Sequence, residues 1–173
     1  MRFINPDSLK EEDMPIIVFS NNDTDLFSYL IRWRTKSSYN HVMWLYEPGT
    51  LASQGWLYNK VPLGKYLKGG NRLEFWKVKI GKPTKNMLIN KLTYDLKAPF
   101  YERFYNFPGI VGQIFGLRWI SSPITKFCSD RVGEDMEFID PSIPQNASPE
   151  MLRDYFISKP EMYEKIGYWW EDL

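Results

Sequence analysis

The sequence holds few of the residues that proteins use as staples and metal ligands. Among its 173 residues there is one cysteine, Cys128, and one histidine, His41. A single thiol excludes any intramolecular disulfide, so the fold needs no oxidising compartment. One Cys and one His are too few for a zinc centre without added carboxylates, and no metal-ligand spacing is visible, so no metal is expected. Excess charge is missing too: 22 basic residues against 21 acidic ones leave a formal net charge of +1. A nucleic-acid binder usually carries a basic excess, so no nucleic-acid partner is expected, and Arg32 and Arg34 read as the solvated face of a helix. Gly69, Gly70 and Gly81 lack the spacing of a phosphate-binding loop, and no cofactor is expected. No apolar run approaches the roughly 20 residues that span a bilayer. The N-terminus, M-R-F-I-N-P-D-S-L-K-E-E-D, has neither a long apolar core nor a small-residue cleavage site. The expectation is therefore a cytoplasmic chain with no signal peptide and no transmembrane segment.

Aromatic residues, in contrast, are abundant: 7 Trp, 11 Tyr and 11 Phe make up 17% of the chain. They fit a rich core, and some of them could line a groove for a ligand. The length suits one domain, residues 1–173, with a substantial core.

The apolar run Pro15–Ser20 reads as a buried strand, followed by turn and helix-capping residues at Asn21–Asp23 and a helix from Thr24 to Arg34. His41–Tyr46 reads as a second strand, stopped by Glu47-Pro48-Gly49, and Thr50–Trp56 returns from that turn as a hairpin partner. Lys60–Leu67 is a short helical or irregular piece, Arg72–Ile80 a half-exposed strand, and residues 85–97 a helix. Pro99–Gly109 is irregular and aromatic, Ile110–Leu117 a short helix, and Arg118–Lys126 a loop. A helix begins at or just before Cys128, Asp140–Ala147 is a loop, and Ser148-Pro149-Glu150 opens a helix that runs to Ser158. Strands in the first half and helices mostly in the second predict an α+β fold, a small antiparallel sheet packed against helices.

The lone thiol and the lone imidazole raise the question of a shared site. The reactive form of cysteine is the thiolate, and a free thiol has a pKa of about 8.5. The N–H groups of a helix N-terminus favour the thiolate, as does an adjacent imidazolium. A third polar group normally orients the imidazole through its other nitrogen. Cys128 at a helix start and His41 at a strand start meet these needs if the two elements are neighbours. A buried structural Cys and a structural His are the plain alternative.

Several short words stand in a telling order: I-I-V-F-S, then I-R-W-R-T-K-S-S-Y-N-H-V, then F-Y-N-F-P-G-I, then K-F-C-S-D-R-V, then A-S-P-E-M-L. From about residue 15 to 158 this order resembles the circularly permuted papain-like hydrolases. These are relatives of the NlpC/P60 cell-wall peptidases, and the YiiX/YaeF-like branch is the nearest in pattern. In that branch a strand carries the catalytic His and a later "FCSE-V" word carries the nucleophile, which here fall on His41 and Cys128. Asp130 stands where the family often has Glu, and Asn106 where it has Asp. The third member of the family's site is an acid or His just before an Ala in the second hairpin strand, and that position here is Leu51. Gln54, whose carbonyl oxygen can accept from an imidazole N–H, is the expected third residue, with Ser53 as the alternative and Glu47 less suited.

The resemblance implies a cysteine-dependent amidase or peptidase that works through an acyl-enzyme, with Tyr39 or Tyr105 as a possible second oxyanion donor. The implied partner is an amide- or ester-containing substrate: a peptidoglycan stem peptide, another peptide or isopeptide bond, or a lipid. A phage or virion-associated origin would fit a chain without a signal. The alternatives are an inactive binding protein of the same fold and a lipid acyl hydrolase or transferase.

Overall fold

A computed structural model describes residues 3–21, 38–54, 57–68, 70–103, 128–145 and 147–170. The expected helix over 24–34, the helix over 110–117, the loop over 118–126, and Asn106 and Tyr105 lie outside these residues.

The fold is α+β. One antiparallel sheet holds β1 (Ile16–Asn21), β2 (His41–Glu47), β3 (Thr50–Gln54), β4 (Tyr58–Pro62), β5 (Arg72–Val78) and β6 (Tyr163–Trp170), in the order β4-β3-β2-β1-β5-β6. The helices among the described residues are α1 (Lys82–Leu96), α2 (Cys128–Met136) and α3 (Pro149–Ser158).

Central β1 reads as a continuous apolar run because both of its faces are covered. Ile17 and Phe19 join Val42, Trp44, Tyr46, Ala52, Trp76 and Val78 on the face that the three helices cover. Ile16 and Val18 join Met43, Leu45, Leu51, Leu73 and Phe75 on the other, beneath Ile4, Met14 and Leu63. Each helix presents a stripe at a spacing of four to the first face: Leu88, Leu92 and Leu96 from α1, Cys128, Val132 and Met136 from α2, Leu152 and Phe156 from α3.

Four expectations are revised. The segment at 58–62 is a strand, β4, and only Leu63–Lys65 after it is helical, as a single 3-10 turn. Alternating burial on an edge strand weakens its apolar signal, which is why Y-N-K-V-P does not read as sheet. A sixth strand follows α3, so the sheet is completed by the end of the chain and not by its first half. Strand β5 is mostly buried, because Glu74 is hidden among charged partners described below. Helix α1 also begins earlier than expected, at Lys82, since Pro83 suits a first turn whose N–H groups need no partner. The α3 start at Ser148-Pro149 is as expected: the Ser148 hydroxyl accepts from the Met151 N–H at 3.2 Å.

Candidate active site

Two contacts fix α2 on β2. The indole Nε1 of Trp44 donates to Asp135 Oδ2 at 3.0 Å. At the helix start, the Cys128 thiol meets the backbone of Val42. From Trp44 back to His41 is three residues of strand, about 10 Å, and from Asp135 back to Cys128 is seven residues of helix, also about 10 Å. Helix and strand therefore run in the same sense, and the N-terminus of α2 falls at the first residues of β2, where His41 lies.

Asp135 is itself part of a buried ionic group. Lys91 of α1 pairs with it and also with Asp95. Burial pushes the Asp135 carboxyl up to about 6 despite the pull of Lys91, and the charge of Asp95 adds to the rise. For Lys91, burial works against its charge, but the two carboxylates outweigh it and hold the ammonium protonated. The shifts describe one cation shared by two acids. Arg131, also on α2, stacks on Tyr58 at 4.8 Å and donates to the Glu102 carbonyl at 3.0 Å.

His41 is half-buried and its Nε2 is 2.8 Å from the Ser53 hydroxyl. Ser53 Oγ is in turn 3.1 Å from the Tyr66 hydroxyl. The Tyr66 ring stacks on the imidazole, with centroids 6.1 Å apart and planes 15° apart. Burial raises the Tyr66 pKa, the bond to Ser53 lowers it, and the charge of a Cys128 thiolate would raise it further, so Tyr66 and Cys128 lie within electrostatic reach. Cys128, His41, Ser53 and Tyr66 are thus brought to one end of the sheet.

Gln54, the expected third residue, is engaged elsewhere: its amide nitrogen donates to the Arg103 carbonyl at 2.9 Å. Its buried Oε1 has no hydrogen-bond partner among the described residues. Adjacent strand residues point to opposite faces, so Ser53 and Gln54 cannot both face the imidazole. Ser53 shares the face of Leu51, and Gln54 that of Ala52. Leu51 is fully buried and Glu47 is exposed. Tyr39 donates its hydroxyl to Glu74 at 3.0 Å and is not aimed at the thiol. Of the aromatic segment after Pro99, Phe100 and Tyr101 are exposed, 57% and 62%, and do not belong to the core.

The thiol differs from the sequence expectation. Burial pushes Cys128 up to about 11; the backbone of Val42, Ser129 and Cys128 pulls the other way, and the charge of Asp130 adds to the rise. The helix start does favour the thiolate, but desolvation wins.

Among the described residues no group of three or more His, Cys, Asp or Glu is placed to hold a metal ion. Among them no helix is long and apolar enough to cross a membrane. No family model matches the chain, and no curated protein matches it in sequence.

Proposed function

We propose that the chain is a cysteine-dependent hydrolase of the circularly permuted papain-like type, acting on an amide or ester through an acyl-enzyme on Cys128. The observation that carries this reading is that the sole Cys, on α2, meets the backbone of Val42, the strand neighbour of the sole His, whose Nε2 lies 2.8 Å from the Ser53 hydroxyl. With Nε2 engaged by Ser53, Nδ1 is the nitrogen that exchanges the proton. Because the resting thiol is protonated, His41 acts as general base during attack and not as partner of a preformed thiolate.

In this mechanism the sulfur attacks the carbonyl carbon as its proton passes to His41. The N–H groups of the first turn of α2, which lack partners within the helix, favour the oxyanion. The imidazolium then protonates the leaving amine or alcohol, the C–N or C–O bond breaks, and a thioester remains on Cys128. His41 next takes a proton from water, which hydrolyses the thioester. Peptidoglycan stem peptides, other peptide or isopeptide bonds and lipid esters all offer such a carbonyl. A neutral hydroxyl at Ser53 supports an imidazolium less than a carboxylate would, so turnover is slow on unactivated amides.

A second reading, a binding protein of the same fold without catalysis, draws on two observations. Cys128 is only 4% exposed. By strand alternation His41 sits with Met43 and Leu45, on the face opposite α2. Incubation with p-nitrophenyl acetate separates the two: an acetyl adduct on Cys128 in the intact mass spectrum, lost in Cys128→Ser and slowed at least tenfold in His41→Ala, supports the hydrolase. No adduct on the folded protein supports the binding protein.

A further inference from the structure

We propose that Gln54, Tyr58, Arg103 and Arg131 form a binding site for a carboxylate with an N–H beside it, the group that ends a peptide or an N-acylated amino acid. Its use as a substrate pocket rests on the hydrolase reading; the binding itself does not. Gln54 and Tyr58 are directly opposite each other on β3 and β4, so their side chains lie together on the face that α2 covers. Arg131 of α2 stacks its guanidinium over the Tyr58 ring at 4.8 Å, and its Nη2 donates to the Glu102 carbonyl at 3.0 Å. The next residue, Arg103, accepts the Gln54 amide N–H on its carbonyl at 2.9 Å. Its own Nη1 donates to Asn59 Oδ1 at 3.0 Å and reaches the Tyr58 carbonyl at 3.5 Å. Arg131 follows Cys128 by three residues on α2, so this group adjoins the thiol.

Four polar atoms at this meeting point are buried and have no hydrogen-bond partner among the described residues: Nε of Arg103 and of Arg131, the Tyr58 hydroxyl and Gln54 Oε1. Gln54, Tyr58 and Arg131 are 2%, 1% and 6% exposed. Buried polar atoms are rarely left unpaired, and a bound group that met these four would remove their desolvation penalty. Their chemistry defines that group. The two Nε–H groups donate with positive charge, which suits the oxygens of an anion. Arg103 lacks a counter-charge: Lys91 faces Asp95 and Asp135, and Arg131 faces Asp95, whereas no carboxylate pairs with Arg103 among the described residues. Gln54 Oε1 can only accept. Turning the amide over would set Oε1 against the Arg103 carbonyl, acceptor against acceptor. A bare anion would leave Oε1 unpaired, and a neutral amide would leave the guanidinium groups unanswered. A carboxylate next to an N–H answers both. Burial raises the Tyr58 pKa, so its hydroxyl keeps the proton and can donate to the same carboxylate. Arg103 is half-buried while the other three are buried, so the ligand enters from the Arg103 side.

The test follows the arginine Nε–H signals in 1H–15N spectra while N-acetylglycine is added. The wild type is expected to show saturable movement of two of these signals, one of which is absent from Arg103→Lys. Acetate, which lacks the N–H, should bind severalfold more weakly, and N-acetylglycinamide, which lacks the carboxylate, should move neither signal. Gln54→Met removes the acceptor at similar volume and should bring N-acetylglycine down to the level of acetate. No saturable movement with N-acetylglycine in the wild type overturns the proposal. Equal binding of acetate and N-acetylglycine, unmoved by Gln54→Met, overturns it as well, since the site would then hold an adventitious ion only. If N-acetylglycine binds but p-nitrophenyl acetate leaves no adduct on Cys128, the site stands and the hydrolase reading fails. If the adduct forms but N-acetylglycine does not bind, the site fails and the hydrolase reading stands.

Discussion

Glu74 and Cys128 are both buried, at 2% and 4% exposure, and the fold treats them in opposite ways. Glu74 receives Arg153 Nε at 2.8 Å, Trp76 Nε1 at 2.7 Å and Tyr39 at 3.0 Å, together with the Lys165 ammonium. Burial raises its pKa, but these donors more than offset it and hold the carboxyl below its ordinary value. Cys128 meets only backbone donors and faces the charge of Asp130, so its pKa rises. Glu74 is saturated with donors where it joins elements: it ties β5 to β6, α3 and the segment before β2. The candidate site is built from neutral groups with hydrogen-bonding capacity in two directions. Such a site can change protonation without disrupting the fold, which a saturated carboxylate cannot.

The contrast can be broken from either side. Glu74→Ala leaves Arg153 and Lys165 facing each other across an emptied position, and a loss of about 3–5 kcal/mol in urea unfolding is expected. Because the folded-state pKa of Glu74 is depressed, its contribution is present above the ordinary glutamate range and disappears as pH falls through the folded value. The wild type should therefore lose more stability on acidification than the variant does. A variant as stable as the wild type at pH 7 would show that the cluster is not what joins the elements.

Asp130→Asn acts on the other side and more mildly. Removing that charge lowers the Cys128 pKa, and alkylation at pH 9 should quicken severalfold while stability changes little. An unchanged rate would mean that burial alone controls the thiol.

Much of this architecture was legible in the sequence. The apolar run at β1, the Pro48-Gly49 turn, where Gly49 takes a φ of +72°, and the Ser148-Pro149 helix start each have a local cause that the sequence carries. That Cys128 lies on a helix was legible as well. Strand β6 was not: Y-E-K-I-G-Y-W-W mixes charge, Gly and aromatics, and its place beside β5 depends on contacts with residues far back in the chain. The partner of His41 was hidden by a single irregularity. Glu47 pairs with Thr50 next to the turn, and continuing that register would put Gln54 on the face of His41. A bulge between Leu45 and Glu47 shifts the pairing by one, so that Leu45 meets Leu51 and Trp44 meets Ala52. One added residue moves Ser53 onto the imidazole's face and Gln54 off it. No turn or propensity rule read from E-P-G-T marks that bulge.

The measurement that bears most directly on the Cys–His site is the rate of Cys128 alkylation by iodoacetamide from pH 5 to 11, in the wild type and in His41→Ala. The site described here predicts two limbs in the wild type. One depends on the neutral imidazole, which assists loss of the thiol proton well below the thiol's own range. The other climbs toward the thiol's own raised value, about 11, and only this second limb should survive in His41→Ala. Superimposable profiles in the two proteins, with a single rise toward about 11, would contradict the account.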